Sequence, residues 1–457
     1  MATQDDRLGT TQDTKRSPFL RSDERVAVIG LGYVGLPLAI ALAQAGRTII
    51  GVDVDARRVA QLNAGGSYIP DVPAEDVHAA VQQGRFHATT DYDALRTCDV
   101  AFICVPTPYD AMRAPDLRYV VAAAEGIQPR LQRGQLIILQ STTYPGTTEE
   151  VVQPILERSG LKAGVDFDLA FSPERIDPGR RDWTVKNTPK VVGGLTERAA
   201  TRAADLLRSL GAPVHVVSSP RAAEMTKLLE NIFRSVNIAL VNELALLSER
   251  MGIDIWEVIR AASTKPFGFM PFTPGPGVGG HCIGVDPYYL SWKAREFDFY
   301  TKFIELAAEV NQSMPFHVVE LTERALARVR VPMQGARILV LGVAFKRDID
   351  DARNSPAERV IELLLKRGAT VRYHDPYVPC FRVGGDAFMR QPVELFSQPL
   401  TESLVRDSDC VVIVTGHRVV DYTFVVRNAR AVVDCMNATE GVTGDKHHII
   451  RLGATPL

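Results

Sequence analysis

The stretch RVAVIGLGYVG, residues 25–35, decides the fold of the first half of this chain. Its β-branched start predicts a strand over residues 26–29, three glycines follow, and an apolar run predicts a helix over residues 36–45. A second predicted strand, TIIGVDVD, carries Asp53 near its end. A G-x-G-x-x-G motif between a strand and a helix, with an acidic residue about 20 positions on, is the dinucleotide-binding fingerprint of a βαβ unit. The sequence therefore predicts a Rossmann-type α/β domain.

The predicted cofactor of this domain is NAD. The glycines permit a tight turn and let the backbone approach a pyrophosphate, and the helix N-terminus supplies N–H groups and partial positive charge. Asp53 can accept a hydrogen bond from a ribose 2′-hydroxyl and would repel a 2′-phosphate, which favours NAD over NADP despite the nearby Arg57 and Arg58. A turn that serves packing alone would not need the acid. The expected cofactor-binding residues of this segment are Gly30, Leu31, Gly32, Tyr33, Val34, Gly35, Asp53 and Arg58.

Composition excludes several classes of function. The chain has 457 residues, of which 46% are hydrophobic and 23% charged, and its net charge is −2. No run of Lys or Arg is long enough to hold a polyanion, so neither a nucleic acid nor a membrane surface is an expected partner. No apolar run reaches ~18 residues, so we expect no transmembrane helix. The polar residues 1–24 lack the apolar segment of a signal peptide and predict a disordered tail.

The six cysteines are scattered and form no CxxC pair. Without a secretory signal, this pattern predicts reduced thiols and a cytoplasmic protein. No Cys/His group has the spacing of a zinc site, so no metal is expected.

Polar residues follow three predicted strands of the first half. Thr107, Thr142 and Glu174 each come just after an apolar strand. One such residue alone is more often a turn former. Because ligands of open parallel sheets bind beyond the carboxyl ends of the strands, three together favour a site wall.

The middle and the end of the chain differ in pattern. Apolar residues recur at helical spacing over residues 220–264, and further helices are predicted over 287–311 and 315–330. Helices that are apolar on several sides suit a core between domains or a dimer interface. Strand–helix alternation then returns and predicts a second Rossmann-type sheet, whose first turn, GVAFK at 342–346, lacks the glycine triplet and is not expected to hold a second NAD. The predicted division is a tail (1–24), an NAD-binding domain (25–218), a central helical domain (219–330) and a C-terminal domain (331–457).

The stretch PGPGVGGHCIGVDPYYL, residues 274–290, carries the predicted nucleophile, Cys282. A thiolate is stabilised by unpaired backbone N–H groups, which a glycine-rich loop leading into a helix supplies. Asp286 lies four residues on and would share a helix face with Cys282 if the helix has begun, where it could serve as a base or orient a water. The alternative is a cysteine packed as a small hydrophobe.

A second set of polar residues, Glu224, Lys227 and Asn231, falls on one face of a predicted helix. Lys227 could stabilise an oxyanion, although a solvated stripe or a Glu–Lys ion pair would give the same pattern. NAD alone suffices to oxidise an alcohol to a carbonyl. A cysteine is needed to go further, because a thiohemiacetal can lose a second hydride to give a thioester that water converts to an acid. The combination predicts oxidation of an alcohol to a carboxylate with two NAD⁺ per turnover.

These motifs resemble the UDP-glucose/GDP-mannose dehydrogenase family. The resemblance covers nearly the whole chain after residue 24 and rests on the motifs VIGLGYVGLPLA (28–39), CVPTP (104–108), STTYPG (141–146), SPER (172–175), ExxKLLEN (224–231), PGPGVGGHCIGVDPYYL and FKRDIDDARNSP (345–356). SPERIDPG, PKVVGG (189–194) and KPFGFMPF (265–272) are most similar to enzymes that oxidise UDP-N-acetylglucosamine at C6 in bacterial polysaccharide synthesis. Enzymes for UDP-N-acetylmannosamine are the near neighbours.

The resemblance implies a role for each matching residue. Cys282 would be the nucleophile, Asp286 the base and water-orienter, and Glu174 the activator of the hydrolytic water. Lys227 and Asn231 would stabilise the oxyanion and hold the sugar, and Thr142 would lie by the catalytic water. The implied cofactor contacts also include Pro106, Thr107, Thr142 and Lys346. The implied substrate contacts are Glu174, Arg175, Lys227, Asn231, Phe272, Gly275, Gly277, Gly279, Phe345, Lys346 and Arg353.

The family fold implies two Rossmann-type domains joined by long helices that also form a homodimer or a higher homo-oligomer. The chain departs from the family pattern at three places. Pro178 stands where UDP-glucose enzymes carry a second glutamate, His281 precedes the cysteine in place of a small residue, and Cys435-Met436 precedes Asn437. The first two departures fit a 2-acetamido sugar, and the third puts a contact from that loop in doubt. UDP-N-acetylmannosamine or UDP-glucose as substrate, an epimerase that retains NAD, and an NAD-sensing binding module are the alternatives.

Overall fold

The computed structural model describes residues 23–110, 114–176, 182–280 and 283–454. Cys282, His281, Pro178 and most of the predicted tail lie outside these residues. The chain forms two compact units, the first from Met1–Thr107 and Asp116–Lys227, the second from Pro108–Pro115 and Leu228–Leu457. The three-domain boundaries stay a prediction, whereas the predicted fold class, α/β with two Rossmann-type parallel sheets and a helical segment between them in sequence, is confirmed.

The first unit is built on an eight-stranded sheet in the order β3-β2-β1-β4-β5-β6-β7-β8. Its central strands are apolar along their whole length because helices cover both faces, and two buried clusters form the core. The strands are β1 (Arg25–Ile29), β2 (Thr48–Val52), β3 (Phe86–Thr89), β4 (Val100–Ile103), β5 (Leu136–Leu139), β6 (Asp168–Phe171), β7 (Lys190–Gly194) and β8 (Val214–Val217). The helices are α1 (Gly35–Gln44), α2 (Ala56–Asn63), α3 (Ala74–Gln82), α4 (Arg118–Ile127), α5 (Gln153–Glu157) and α6 (Glu197–Arg208).

One pair of neighbouring strands in this sheet is antiparallel. β7 runs opposite to β6, with Ala170 opposite Gly194 and Phe171 opposite Gly193, and β8 runs parallel to β7. The amino end of β7 therefore lies beside the carboxyl end of β6, at the edge where a ligand of a parallel sheet binds.

Helices connect the two sheets along the chain. They are α7 (Pro220–Met251), which begins in the first unit and continues into the second, α8 (Ile255–Ala262), α9 (Asp286–Ala294) and α10 (Lys302–Arg328). The predicted break before Pro315 is wrong, because Pro315 lies inside α10 and the interruption falls at 295–301 instead. Residues 283–285 form a turn and α9 starts at Asp286, whereas Cys282 lies outside the described residues, so a shared helix face of Cys282 and Asp286 stays a prediction.

The second sheet is all parallel, in the order β10-β9-β13-β14-β15, with a separate antiparallel pair β11-β12. The strands are β9 (Arg337–Leu341), β10 (Thr370–His374), β11 (Cys380–Val383), β12 (Val393–Phe396), β13 (Cys410–Ile413), β14 (Val432–Asp434) and β15 (Ile449–Arg451). The helices are α11 (Pro356–Lys366), α12 (Glu402–Arg406) and α13 (Tyr422–Asn428). Ser355 caps α11, because its hydroxyl accepts from the Ala357 N–H. Within the described ranges, no helix has the length and apolar character needed to span a bilayer.

Candidate active site

The glycine turn after β1 is shaped by close backbone packing. Gly30 has φ +89°, and a Cβ there would lie 2.6 Å from the carbonyl oxygen of Cys104. A Cβ on Gly35 would lie 1.8 Å from the carbonyl oxygen of Gly30, so neither position tolerates a side chain. A Cβ on Gly32, in contrast, would meet no atom within 4 Å. The turn therefore leaves room beside Gly32 for a pyrophosphate at the start of α1.

Asp53, just after β2, is buried and anchored to this turn. Its Oδ2 accepts from the Leu31 N–H at 2.9 Å and its Oδ1 from the Asp55 N–H at 3.0 Å. A carboxylate has about four lone-pair sites, so both oxygens can still accept from ribose hydroxyls. Arg58 lies over the ring of Tyr68, whose hydroxyl donates to the Leu31 carbonyl oxygen. These residues fit NAD, and the half-exposed Arg58 is held to one side of the turn.

The loops after β4 and β5 are tied together at the same edge of the sheet. The Ser141 hydroxyl lies 3.2 Å from the Ile103 carbonyl oxygen and 2.7 Å from that of Val105. This bond fixes the segment that carries Pro106 and Thr107 beside the segment that carries Thr142. Both threonines are half-buried. The structure therefore brings together the residues that we expected near the nicotinamide.

Glu174, after β6, is held by a buried network. Its carboxylate accepts from the Lys190 ammonium at 2.9 Å and 3.0 Å, and from the Gln140 amide at 3.1 Å. The backbone N–H groups of Arg175 and Ile176 also donate to it. Sequence reasoning missed Lys190, although a lysine at the start of the apolar run VVGG is a signal for a buried ion pair. The side chain of Arg175 donates to the Pro189 carbonyl oxygen and so braces the same two segments.

Glu224 and Lys227 occupy the first turns of α7, in the first unit. The Glu224 carboxylate accepts from the Gly146 N–H at 2.6 Å and from the N–H and hydroxyl of Thr148 at 2.9 Å and 2.7 Å. Burial raises the pKa of this carboxyl, which these hydrogen bonds oppose only in part. Lys227, one turn further on, is buried as well. Glu224 thus anchors α7 to the loop after β5, and the motif is not a solvated stripe.

In the second unit, Asn231 and Asp286 form a buried pair. The Asn231 amide donates to Asp286 Oδ2 at 2.5 Å, although 55 residues separate them in sequence. Both side chains are almost fully buried, and Asp286 is the first residue of α9. The structure therefore joins two of the predicted catalytic residues, one of which, Asp286, belongs to the stretch that carries Cys282.

The glycine-rich segment 275–280 packs closely against the second sheet's loops. A Cβ on Gly279 would lie 2.7 Å from the Asn354 carbonyl oxygen and 2.8 Å from Phe345 Cβ. A Cβ on Gly280 would lie 2.8 Å from the Phe345 ring. Gly279, which the family resemblance implies as a substrate contact, and Gly280 are both needed without a side chain for packing against Phe345.

Two hydrogen-bonded asparagine side chains support the start of the same segment. The Gly275 N–H donates to the Asn242 side chain at 2.9 Å, and the Asn242 amide donates to that of Asn311 at 3.0 Å. Phe272 packs edge-on against Phe233 of α7, with ring centroids 5.8 Å apart. α7 and α10 therefore position the segment 272–280.

The turn after β9 is closed by Asp375 and His417. Asp375 Oδ2 accepts from the N–H groups of Val343 and Ala344 at 2.7 Å and 3.1 Å, and the Phe345 N–H donates to the Asp351 carbonyl oxygen. His417 is fully buried and its Nε2 lies 3.0 Å from Asp375 Oδ2. Burial acts to raise the pKa of Asp375, but the hydrogen bonds from His417 and the backbone outweigh it and hold the pKa below its usual value.

Two predicted substrate residues follow this turn. Arg353 pairs with Asp351 through two bonds of 2.9 Å and 2.7 Å and remains half-exposed. Lys346 is partly buried at the end of the turn.

Asn437, at the third departure from the family pattern, has φ +53° and accepts from Arg451.

The described cysteines are free thiols. Burial raises the pKa of Cys98 to about 11 and raises that of Cys104 further, so neither is a reactive thiolate. Over the described ranges, no group of three or more His, Cys, Asp or Glu side chains is arranged to hold a metal ion.

Three family models match the chain in order. They describe the NAD binding domain (24–211), the central domain (221–313) and the UDP binding domain (339–441) of the UDP-glucose/GDP-mannose dehydrogenase family. With the glycine turn and Asp53, they define an NAD-dependent oxidoreductase that acts on a nucleotide sugar. The chain belongs to the UDP-glucose/GDP-mannose dehydrogenase family.

Several known proteins are similar over most of their length. A UDP-N-acetyl-D-glucosamine 6-dehydrogenase of Pseudomonas aeruginosa is 41% identical over 358 residues, which cover 78% of this chain and 83% of that protein. A UDP-N-acetyl-D-mannosamine dehydrogenase of Pyrococcus horikoshii is 37% identical, over 86% of this chain and 89% of that protein. The solved structure of the UDP-D-ManNAc dehydrogenase from Pyrococcus horikoshii superposes with a TM-score of 0.84 at 34% identity, and covers 95% of this chain and 100% of that one.

Proposed function

We propose that this enzyme oxidises the C6 hydroxyl of a UDP-N-acetylhexosamine to the carboxylate, with two NAD⁺ consumed per sugar and Cys282 as the nucleophile. UDP-N-acetylglucosamine is the first candidate substrate, because the relative at 41% identity bears that name. The product is a UDP-uronic acid, a building block for bacterial surface polysaccharides, and we place the reaction in the cytoplasm.

The buried pair of Asn231 and Asp286 carries the proposal. An amide and a carboxylate that are joined at 2.5 Å and removed from solvent can hold a substrate oxygen and accept a proton beside it. Asp286 lies four positions after Cys282 in sequence, and Asn231 lies one helical turn after Lys227 on α7. A four-electron oxidation needs these groups together, whereas an epimerase that returns its hydride needs no thiol.

The first oxidation converts the alcohol to an aldehyde. When bound, NAD⁺ would supply the hydride acceptor for each of the two oxidation steps, and the residues that would hold it are the turn Gly30–Gly35, Asp53 and the segment with Pro106, Thr107 and Thr142. Asp286 takes the hydroxyl proton while the hydride leaves C6. Lys227 and Asn231 stabilise the oxygen as it gains negative charge.

The second oxidation needs a covalent bond. The Cys282 thiolate adds to the aldehyde carbon and forms a thiohemiacetal, whose hydroxyl proton and C6 hydride then leave to give a thioester. Water attacks the thioester, the carbon–sulfur bond breaks, and the thiol is restored. In sum, one alcohol, one water and two NAD⁺ yield one carboxylate, two NADH and three protons.

The hydrolytic step falls to the residues at the end of β5 and β6. Glu174 activates the water and Thr142 orients it, with Asp286 as the second carboxylate. The buried ion pair with Lys190 keeps the Glu174 carboxylate in place at this edge of the sheet.

The nucleotide is held by the second unit. We assign the UDP contacts to Phe272, Gly275, Gly277, Gly279, Phe345, Lys346 and Arg353, and the sugar contacts to Arg175, Lys227 and Asn231. Phe345 is fixed by the glycine segment behind it, and the half-exposed guanidinium of Arg353 is pre-oriented by Asp351 for a phosphate.

Stoichiometry tests the proposal directly. The enzyme is mixed with excess NAD⁺ and a limiting amount of UDP-GlcNAc, UDP-ManNAc, UDP-GalNAc or UDP-glucose, and NADH is followed by absorbance. We expect two NADH per sugar with one of the acetamido sugars. Cys282→Ala should abolish acid formation, and Cys282→Ser should trap a slow ester that intact-mass spectrometry detects. A ratio near one, or an alanine variant with normal acid formation, would overturn the mechanism.

We also propose that the enzyme is a homodimer built on α7. Apolar side chains are exposed along one side of this helix, here called the α7 stripe: Leu229, Phe233, Leu240, Leu244, Leu247 and Met251. A continuous apolar stripe on a single long helix indicates a protein–protein contact.

A further inference from the structure

Strand β6 carries a buried carboxylate near each of its ends. At its amino end, Asp168 accepts from Arg198 and Arg202, each at 2.9 Å. Three residues beyond its carboxyl end, Glu174 accepts from Lys190 at 2.9 Å and 3.0 Å. In a parallel sheet the two ends differ in function, because ligands bind only at the carboxyl edge.

The reversal of β7 explains why Lys190 reaches Glu174. In the antiparallel register of β6 and β7, Phe171 is opposite Gly193, and continuing that register places Glu174 opposite Lys190. The Ser172 hydroxyl donates to the Val191 carbonyl oxygen and holds the two segments together beyond the ladder. A parallel β7 would carry its first residue to the far edge of the sheet.

The Glu174 carboxylate has no unused position for a further donor. Oε1 accepts from Lys190, Arg175 N–H at 2.7 Å and Ile176 N–H at 3.0 Å, and Oε2 accepts from Lys190 and Gln140. These five contacts exceed the roughly four lone-pair sites of a carboxylate. A water that is to be activated by Glu174 must therefore share an oxygen with one of these donors, and the Lys190 ammonium bridges both oxygens.

The burial of Lys190 is complete, with 0% of its surface exposed, whereas Arg198 at the other end of the strand is partly exposed. A lysine ammonium in such a place needs its carboxylate partner, because an uncompensated buried charge is strongly destabilising. The side chain has no exposed surface with which to meet a substrate.

We propose that Lys190 is a positioning residue for the hydrolytic step: it acts through Glu174, fixing the carboxylate and the backbone of residues 174–176, without touching the substrate. This inference rests on the proposed function, in which Glu174 activates the water that releases the acid. Loss of Lys190 would free the carboxylate to rotate and slow that step more than the hydride transfers.

The test compares Lys190→Met, Lys190→Arg, Glu174→Gln and the double variant Lys190→Met/Glu174→Gln. We expect Lys190→Met to lower kcat by at least ~10-fold, as loss of a supporting partner does, with the KM for NAD⁺ unchanged. A rapid NADH burst should precede the slow phase, because hydrolysis has become limiting. Lys190→Arg should recover part of kcat, and the double variant should be no slower than Glu174→Gln alone.

Arg202→Met is the matched control, since it breaks the buried ion pair at the opposite end of the same strand. We expect it to lower the thermal midpoint while kcat stays within about twofold. The double variant contains a neutral pair, so it keeps the comparison possible if Lys190→Met fails to fold.

Two results would overturn the inference: a folded Lys190→Met enzyme with wild-type kcat, or a double variant whose loss equals the product of the two single losses. The wild-type stoichiometry is measured in the same series. If wild type yields two NADH and Lys190→Met is unimpaired, the inference alone fails. If wild type yields one NADH with every sugar, the proposed function fails and the inference falls with it.

Discussion

Glu224 shows how a single buried side chain can fix the start of a helix against a distant loop. Its carboxylate accepts from Gly146 and Thr148 in the loop after β5 and sets the start of α7, one turn before Lys227. Glu224 stood in the sequence motif, but its partners lie 76 and 78 residues away. Local spacing predicted the face of the helix and left the alternative of a Glu–Lys ion pair open.

The pKa of Glu224 makes a prediction about stability. Burial raises this pKa above its ordinary 4.5, so between 4.5 and the raised value the folded chain binds more protons than the unfolded chain. Stability therefore falls as pH rises through that window. Glu224→Gln removes the ionisation, and we expect a flatter dependence of the thermal midpoint on pH, measured by scanning fluorimetry from pH 4.5 to neutrality. The exposed Glu243→Gln, on the same helix, should keep the wild-type slope. An unchanged slope in Glu224→Gln would assign the dependence to another group.

Lys190 marks the limit of prediction at this scale. The sequence singled out Glu174 as a candidate site residue because it follows an apolar strand, and its role stays a prediction. Its partner depends on the direction of β7, which no local pattern reports, since a short apolar strand has the same sequence whether it pairs parallel or antiparallel.

At the scale of elements, some features of the helices are set by local sequence and others by tertiary packing. The strands and helices of both Rossmann-type sheets followed from local patterns, and α7 ends just before Gly252 while α11 starts after the capping Ser355, both of which are local signals. Pro315 misled the prediction, because a proline removes the N–H that would bond the carbonyl four residues earlier, here that of Asn311. In the structure that carbonyl lies against the segment 275–280: a Cβ on Gly277 would be 3.1 Å from it. Tertiary packing of both faces of α10 outweighs the lost bond.

The packing of the glycine segment yields a prediction about stability. Gly279→Ala would place its methyl group 2.7 Å from the Asn354 carbonyl oxygen, so the segment or the loop must move. We expect a loss of ~1–3 kcal/mol in the free energy of unfolding, measured with denaturant. Gly284→Ala is the control, because its methyl group would meet nothing closer than 3.5 Å. Equal stability of the two variants would contradict this prediction, because it would show that Phe345 and Asn354 move aside without a cost in free energy.

At the scale of the whole molecule, the α7 stripe predicts self-association. Leu240 and Leu247 are 53% and 50% exposed at positions that share one side of the helix. We expect wild type to be a dimer by size-exclusion chromatography with light scattering. Leu240→Glu/Leu247→Glu should shift it to a monomer, because two carboxylates would face their own copies across an apolar contact.

Glu243 lies between these leucines in sequence and its side chain is exposed. The control substitution Glu243→Gln should therefore leave the dimer unchanged. A monomeric wild type, or a dimer that survives both glutamates, would refute the role of the stripe. The sequence alone favoured either a core or a dimer interface for this helix, since apolar periodicity does not report what covers each face.

Asp53 and Asp375 occupy equivalent places, each just after the second strand of its sheet. The two halves of the chain nevertheless differ in how the N–H groups of the preceding turn are bonded. Asp375 and the Asp351 carbonyl oxygen take up three consecutive N–H groups of the turn after β9, whereas in the turn after β1 Asp53 accepts from the Leu31 N–H. With NAD bound in the first half alone, as we propose, the chain has no internal source of cooperativity toward that cofactor. Any sigmoid response to its concentration would therefore have to originate between copies of the chain, where binding at one site can alter affinity at another.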